Sequence, residues 1–363
     1  MLRYLTAGES HGKALIAILE GMASGLKIDE KIINKELSRR QIGYGRGGRM
    51  KIETDKVEIV SGVRKGVTLG SPIAMLIKNK DFKIDLLGEV RCPRPGHADL
   101  AGAIKYGTDD ARNILERASA RETAARTAVG ALCKILLAEC GIEVFSYTKS
   151  IGCVDADVLK LSYEKIRSAC LKSDLNCPDK NAENLMKKEI DKAKAAGDTL
   201  GGTFEVIAVN LPIGLGSCMH YDRKLDARLA AELCSIQAIK GVEFGAGFEG
   251  CKLFGSQFHD AITLKGKKIA RKTNNAGGIE GGMSNGEDIV LRCAMKPIAT
   301  LLNPIDSVDM RTKSMKKADV ERSDICAVAA AGIVAENVTA FVLAQAVLEK
   351  YGSDSMTELL RHF

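Results

Sequence analysis

Two periodicities of apolar and polar residues run through this chain, one helical and one of strand type. Helical spacing is clearest in SARETAARTAVGALCKILLAEC, which predicts a helix from Ser119 to Cys140. Ser119 is a good N-cap, Glu122 three residues on completes a capping box, and Gly141 supplies the stop. Ala124, Ala125, Ala128 and Ala131 give this helix a small-residue face that permits close packing. A second helix is expected from about Ser323 to Tyr351, with Gly352 as its stop. It is apolar almost throughout and so needs cover on all sides. Glu336, Asn337 and Gln345 interrupt it, which predicts a buried core helix and not a membrane span. A third helix is expected over KLDARLAAELCSIQAIK, Lys224 to Lys240, ending at Gly241.

Short β-prone runs lie between the helices: GIEVFSYTKSIG after the first, GVEFGAGFEG after the third, and VEIVSGV and TFEVIAVNL elsewhere. The recurring order of helix, glycine and strand suggests an internal duplication. Apolar helices flanked by strands predict an α+β sandwich. The stretch from about residue 159 to 196 differs: KKEIDKAKAAGD is charged and helix-prone and reads as a peripheral helical arm. No Pro/Gly/Ser-rich linker divides the chain, so residues 1–363 are expected to form one domain.

Composition narrows the class. Aromatic residues are 4% with no Trp, so the core must be aliphatic. The net charge of +7 is concentrated locally, without the interleaved aromatics of a single-strand binder. That favours a basic pocket for a small anion over a nucleic-acid track. Eleven cysteines, with no C-x-x-C, fit neither a zinc site nor a disulfide framework. No metal site is expected, no signal peptide is visible, and a reducing cytoplasm is the expected compartment.

The chain opens with RYLTAGESHGKAL, and Gly8–Gly12 matches the G-x-S-x-G nucleophile elbow. Its context excludes that reading: only seven residues precede Gly8, whereas an elbow tops a sheet already built. A histidine between glycines, beside Ser10 and Glu9, is a catalytic candidate because the glycines let a substrate approach. SRRQIGYGRGGRMKIE places Arg39, Arg40, Arg46 and Arg49 around four glycines, as clamping a phosphate requires. RCPRPGHADLAGAIKYG presents His97 beside Asp99 on a proline-stiffened loop, a plausible acid–base device. In ERASARETAART, Arg117 precedes a helix N-cap and Arg121 lies in its first turn. A bound anion would explain arginines at that end of a helix. The same arrangement recurs at ERSDICAV with Arg322, and NNAGGIEGGMSNGED reads as a loop for a flat ligand. These residues describe an enzyme for a small, multiply anionic substrate, with two working histidines.

Taken together and in order, GESHG, RPGHADL, RASARETAARTAVG, KGVEFGAGF, GGIEGGMSNG, MKPIATL and RSDICAV resemble the chorismate synthase family over nearly the whole chain. The resemblance implies a β-α-β sandwich with helices between antiparallel sheets, usually a homotetramer. It implies anti-1,4-elimination of phosphate from 5-enolpyruvylshikimate 3-phosphate, giving chorismate in the shikimate pathway. Reduced FMN is required without net oxidation and is thought to lend an electron that expels phosphate. Carried over by motif, His11 protonates the leaving phosphate and His97 sets the protonation of the reduced flavin. Asp324 assists proton removal through the flavin, and Ser10 and Ser119 lie near the reacting centre. The FMN positions that match are Arg117, Ala118, Ser119, Gln237, Ala238, Gly281, Lys296, Pro297, Ile298, Ala299, Thr300 and Arg322. Arg40 and Arg46 match arginines assigned to NADP, with NADPH a possible source of reductant. By their own chemistry they equally suit the substrate phosphate, alongside Arg39, Arg49 and Arg121. Gln237 stands where many members have Asn, and Gln41 where some have a third Arg. A flavin-binding protein acting on another anionic small molecule is the alternative reading.

Overall fold

The computed structural model describes residues 1–48, 52–352 and 354–363. Two antiparallel sheets enclose a layer of helices. The first sheet orders its strands as Arg3–Ala7, Ala14–Glu20, Ile73–Lys78 and Val57–Ile59. The second runs Ile239–Phe244, Ile289–Met295, Gly202–Val209, Glu143–Ile151 and Val154–Asp155. Period-two patterning explains the first sheet: in Ala14–Glu20, Leu15, Ala17 and Leu19 are buried while Ile16 and Ile18 face outward. The Thr123–Glu139 helix packs on this sheet, and the Val328–Tyr351 helix packs on Glu143–Ile151 and Gly202–Val209 of the other. This is the expected α+β sandwich.

The two central helices pack directly against each other. Gly130 makes their approach possible, because a Cβ there would lie 2.2 Å from the backbone oxygen of Asn337. The Val328–Tyr351 helix is buried on every side up to Leu348, despite being long and apolar enough to cross a bilayer. Its one buried carboxylate is fully engaged. The Glu336 carboxylate accepts from Arg39 at 2.7 and 2.8 Å, from Lys134 at 2.5 Å and from the Ser146 amide at 2.9 Å. Burial alone would raise its pKa, but the charges of Arg39 and Lys134 outweigh that and hold it low.

Helix boundaries depart from the sequence pattern for identifiable reasons. The first central helix begins at Thr123, after a 3₁₀ turn over Ala120–Glu122. Ser119 caps that turn, accepting from the Arg121 amide at 3.3 Å. Glu122 does not close a capping box; Thr6 Oγ1 on the neighbouring strand donates to it instead. The long helix begins at Val328 and not at Ser323. Upstream, the Ile325 amide donates to Gly45 O and the Ile325 carbonyl accepts from Leu200, so tertiary bonds hold this segment extended. The third helix spans Leu225–Cys234, and Gly241 lies inside the following strand, at a register shift. Gly141, by contrast, ends its helix at φ +73°. The charged stretch forms two helices, Tyr163–Cys170 and Lys180–Ala196. Met186 and Ile190 of the second helix are buried in the main core.

Gly130→Ala should push the central helices apart and destabilise the protein by about 1–3 kcal/mol. Gly88→Ala is the control, since a Cβ there meets nothing within 4 Å. Thermal unfolding checks this: the first variant should melt several degrees lower and the second unchanged. Equal melting temperatures would mean that the helices do not meet at Gly130.

Candidate active site

The GESHG segment is the loop between the first two strands of the first sheet, whose pairing ends at Ala7 and Ile16. Gly8 has φ +106°, and a Cβ there would lie 2.3 Å from the Ala14 carbonyl oxygen, so only glycine lets the loop close. Asn79, just past the Ile73–Lys78 strand, holds the loop from beneath. Its Nδ2 donates to the carbonyls of Gly12, Glu9 and Ser10 at 2.7, 3.2 and 3.3 Å. Its Oδ1 accepts from Arg121 Nε at 2.9 Å. One buried amide thus joins the histidine loop to the arginine at the helix start.

Arg121 continues to Asp55, with Nη1 at 2.7 Å. Arg40 lies on the other side of that carboxylate, its Nη1 3.6 Å from Asp55. Arg40 also donates from Nε to Thr123 Oγ1 and from Nη2 to Ala120 O, both at 2.9 Å. Both arginines are 4% exposed. Burial, reinforced by the charges of Arg121 and Arg46 and only partly offset by Asp55, pulls the Arg40 pKa down to about 10. Arg46 pairs with Asp324 at 3.1 Å, and the other oxygen of Asp324 accepts the Gly47 amide at 2.6 Å. Arg322 reaches Asp81 at 2.7 Å, and Asp81 lies 3.9 Å from His11 Nε2. Arg40, Arg46, Arg121, His11, Asp324 and Arg322 therefore form one connected cluster.

Arg39 does not join it. Its guanidinium is spent on Glu36 and Glu336 in the interior, because successive helical residues point about 100° apart. The expectation that Arg39 touches substrate is corrected on this ground. Arg49 falls outside the described residues.

His97 lies in a second cluster. Its Nδ1 is 2.5 Å from Asp99, which also accepts from Arg94 Nε at 2.8 Å. Arg94 Nη1 donates to Thr300 Oγ1 at 2.8 Å, tying this loop to the Lys296–Thr300 segment. A Cβ on Gly96 would lie 3.7 Å from Lys296 Nζ and 3.8 Å from Ala299 Cβ. Burial and then the charge of Lys240 lower the Lys296 pKa. The segment leads back to the first cluster: Thr199 donates to Ile298 O at 2.7 Å, and Leu200 donates to Ile325 O at 2.9 Å. The two histidine loops thus share one hydrogen-bonded frame.

The remaining positions divide. Arg117 donates to the carbonyls of Gly8 and Thr6 at 3.0 and 3.1 Å, so it braces the GESHG loop. It sits in the last turn of the Arg112–Ala118 helix, where a cation is favourable, rather than ahead of a lone helix start. Gln237 donates to Glu122 at 3.5 Å, and Ala238 is held at φ +69°, strained for a residue with a Cβ. Gly281 lies at an exposed hairpin turn; its neighbour Gly282 accepts from Leu225, the first residue of the Leu225–Cys234 helix. That ten-residue helix, about 15 Å of rise, separates it from Gln237. Glu116, Asn79, Asp81 and Asp55 are structural partners that the motif reading did not single out. The signal available for Glu116 was its place beside Arg117 in ERASARET.

Burial works against the Asp99 carboxylate, but hydrogen bonds from His97 and Arg94 outweigh it and hold its pKa well below the usual range. Its stabilising contribution is complete above the unfolded pKa of about 4 and is lost as pH falls below that value. Asp99→Asn should therefore cost on the order of 1–3 kcal/mol at pH 7. Urea unfolding at stepped pH should show the gap from wild type closing toward pH 2. A gap independent of pH would contradict the ionised pair.

Similarity to known proteins agrees with this geometry. A family model described as chorismate synthase matches residues 2–348. The chorismate synthase of Geobacter sulfurreducens is 54% identical over 383 residues, spanning 100% of this chain and 98% of that one. The chorismate synthase of Syntrophotalea carbinolica is 55% identical, spanning 99% and 96%. A crystal structure of chorismate synthase matches with a TM-score of 0.83 at 46% identity, covering 100% of this chain and 96% of that one. The chain belongs to the chorismate synthase family and is a lyase.

Proposed function

We propose that this chain eliminates phosphate from 5-enolpyruvylshikimate 3-phosphate to give chorismate, in the shikimate pathway, with reduced FMN bound. The observation that carries this reading is the arginine cradle beside His11. Arg40 Nη1 and Arg121 Nη2 are buried and make no hydrogen bond. Such donors call for an anion, and a phosphate offers several acceptors to planar guanidinium groups. Arg46 borders the same cradle. Arg40 is too deeply buried to serve well as a surface contact for NADPH, so the substrate phosphate is the better partner. NADPH then enters only as a source of reductant.

The residues fit a flavin as well. Gln237 Oε1 is buried without a donor, and an imide N–H of a bound flavin would satisfy it. Arg117, Ala118, Ser119, Gln237, Ala238, Lys296–Thr300 and Arg322 would hold the cofactor, with Gly281 the least supported of the set. Reduced FMN supplies transient electron density that helps expel phosphate. The chain's own part is acid–base work and positioning. His11 gives a proton to the departing phosphate oxygen, and Ser10 and Ser119 orient the reacting groups. Arg94 and Asp99 hold His97 beside the Lys296–Thr300 segment, where it governs the ionisation of the cofactor. Asp324 assists removal of the ring proton while anchoring Arg46.

We also propose a cytoplasmic homotetramer. The outer face of the first sheet exposes Leu5, Ile16 and Ile18, with Leu5 directly opposite Ile18. Apolar faces of this kind commonly meet a second copy.

The test is an anaerobic assay for phosphate release from the substrate. Release should require reduced FMN and should fall roughly 10²–10⁴-fold in His11→Ala and in His97→Ala. Both variants should fold and keep oxidised FMN binding. Only His97→Ala should change the pH dependence of the reduced flavin's absorbance. Release without flavin, or turnover within a few-fold in both variants, would refute the assignment.

A further inference from the structure

Glu116 is 1% exposed, in the Arg112–Ala118 helix just ahead of Ser119, and the reaction as described does not use it. Its carboxylate grips His11 twice. Oε2 accepts the His11 backbone amide at 2.7 Å, and Oε1 lies 2.9 Å from ring Nδ1. The main chain repeats the tie, since the Ser10 amide donates to Glu116 O at 2.9 Å. Burial of Glu116 favours its neutral form, but the hydrogen bonds from His11 and the charges of His11 and Arg112 outweigh it and lower its pKa. An ionised carboxylate can only accept, so Nδ1 must carry a proton whether His11 is neutral or charged. The nitrogen able to give up a proton to a substrate is then Nε2. It faces Asp81 at 3.9 Å, and Asp81 is itself paired with Arg322 and Lys83.

We propose that Glu116 is the positioning residue of His11. It fixes the Nδ1–H tautomer, leaves Nε2 as the nitrogen that can donate to the substrate, and favours the imidazolium that a general acid must be. In the step it serves, the Nε2–H bond breaks and an O–H bond forms on the departing phosphate. The electron pair of the broken bond stays on Nε2. His11 is left as the neutral Nδ1–H imidazole and regains its proton from water. This inference rests on His11 being the acid.

Among the described residues, Glu116 and Asp81 face His11, backed by Arg112, Arg322 and Lys83. A neighbouring anion favours the imidazolium, so removing the Glu116 charge should disfavour it. The acid must be protonated to work, so activity falls as pH rises. In Glu116→Gln the alkaline limb of kcat/KM should move to lower pH by on the order of one unit, a tenfold loss of proton affinity. A merely structural role predicts an equal loss at every pH, and an unmoved limb overturns the proposal. A second measurement holds even if that variant fails to fold. Imidazole ¹⁵N NMR of the full-length wild type, with His11→Ala assigning the signal, should show Nδ1 protonated throughout and Nε2 titrating. A neutral Nε2–H tautomer overturns the assignment of Glu116. Full turnover in His11→Ala overturns instead the acid role on which the proposal depends.

Discussion

A carboxylate at the centre of an apolar helix holds this sandwich in register. Glu336 is fully buried, yet it binds Arg39 from the Glu30–Gln41 helix, Lys134 from the first central helix and Ser146 from the second sheet. Three helices and a strand are thereby fixed about one charge. Removing one partner of such a buried network typically costs about 3–5 kcal/mol, because the others are left uncompensated. The arrangement reaches the active site through a single peptide bond. With Arg39 bound into the core, Arg40 turns the other way, toward Thr123 and Asp55. The core ion network therefore sets the direction in which Arg40 points.

The cradle itself is costly in the absence of ligand. Arg40 and Arg121 are buried close to one another, and each has a guanidinium nitrogen that makes no hydrogen bond, with Asp55 3.6 Å and Glu53 3.8 Å away. Asp55 sits between them and offsets part of the repulsion, but the lowered pKa of Arg40 shows that burial and like charge still dominate. An entering dianion would relieve both. Such a site binds by completing an unfinished set of hydrogen bonds, so its selectivity follows from charge and geometry more than from contact area. The glycines around it serve the same end, since Gly8 and Gly47 let backbone and carboxylate approach where a Cβ would collide.

Much of this was legible in the sequence where local chemistry decides. The buried long helix and the α+β layering follow from apolar periodicity alone, whereas the close approach of the two central helices falls at Gly130, outside the alanine face the pattern offered. The helix starts did not follow, because Glu122 and Ile325 have tertiary partners that outcompete local caps. His11, His97, Arg40 and Arg46 stood out through the glycines and prolines around them, and Arg121 through its place at a helix start. Arg39 was grouped with them wrongly, since a motif shows which residues are neighbours but not which side of a helix each faces. Asn79 and Asp55 carried no local signal beyond their amide or charge, and Glu116 only its place beside Arg117. Their importance comes from contacts across 42 to 105 residues of sequence, which only the fold supplies.

The central claim is that the GESHG loop and the arginine cradle grip the departing phosphate together. A crystal structure with 5-enolpyruvylshikimate 3-phosphate and oxidised FMN, which cannot drive turnover, tests it most directly. The account predicts the substrate phosphate within hydrogen-bond distance of Arg40, Arg121 and His11 Nε2, with Arg46 closing over it. A phosphate held elsewhere, with the buried nitrogens of Arg40 and Arg121 still unpaired, would contradict it.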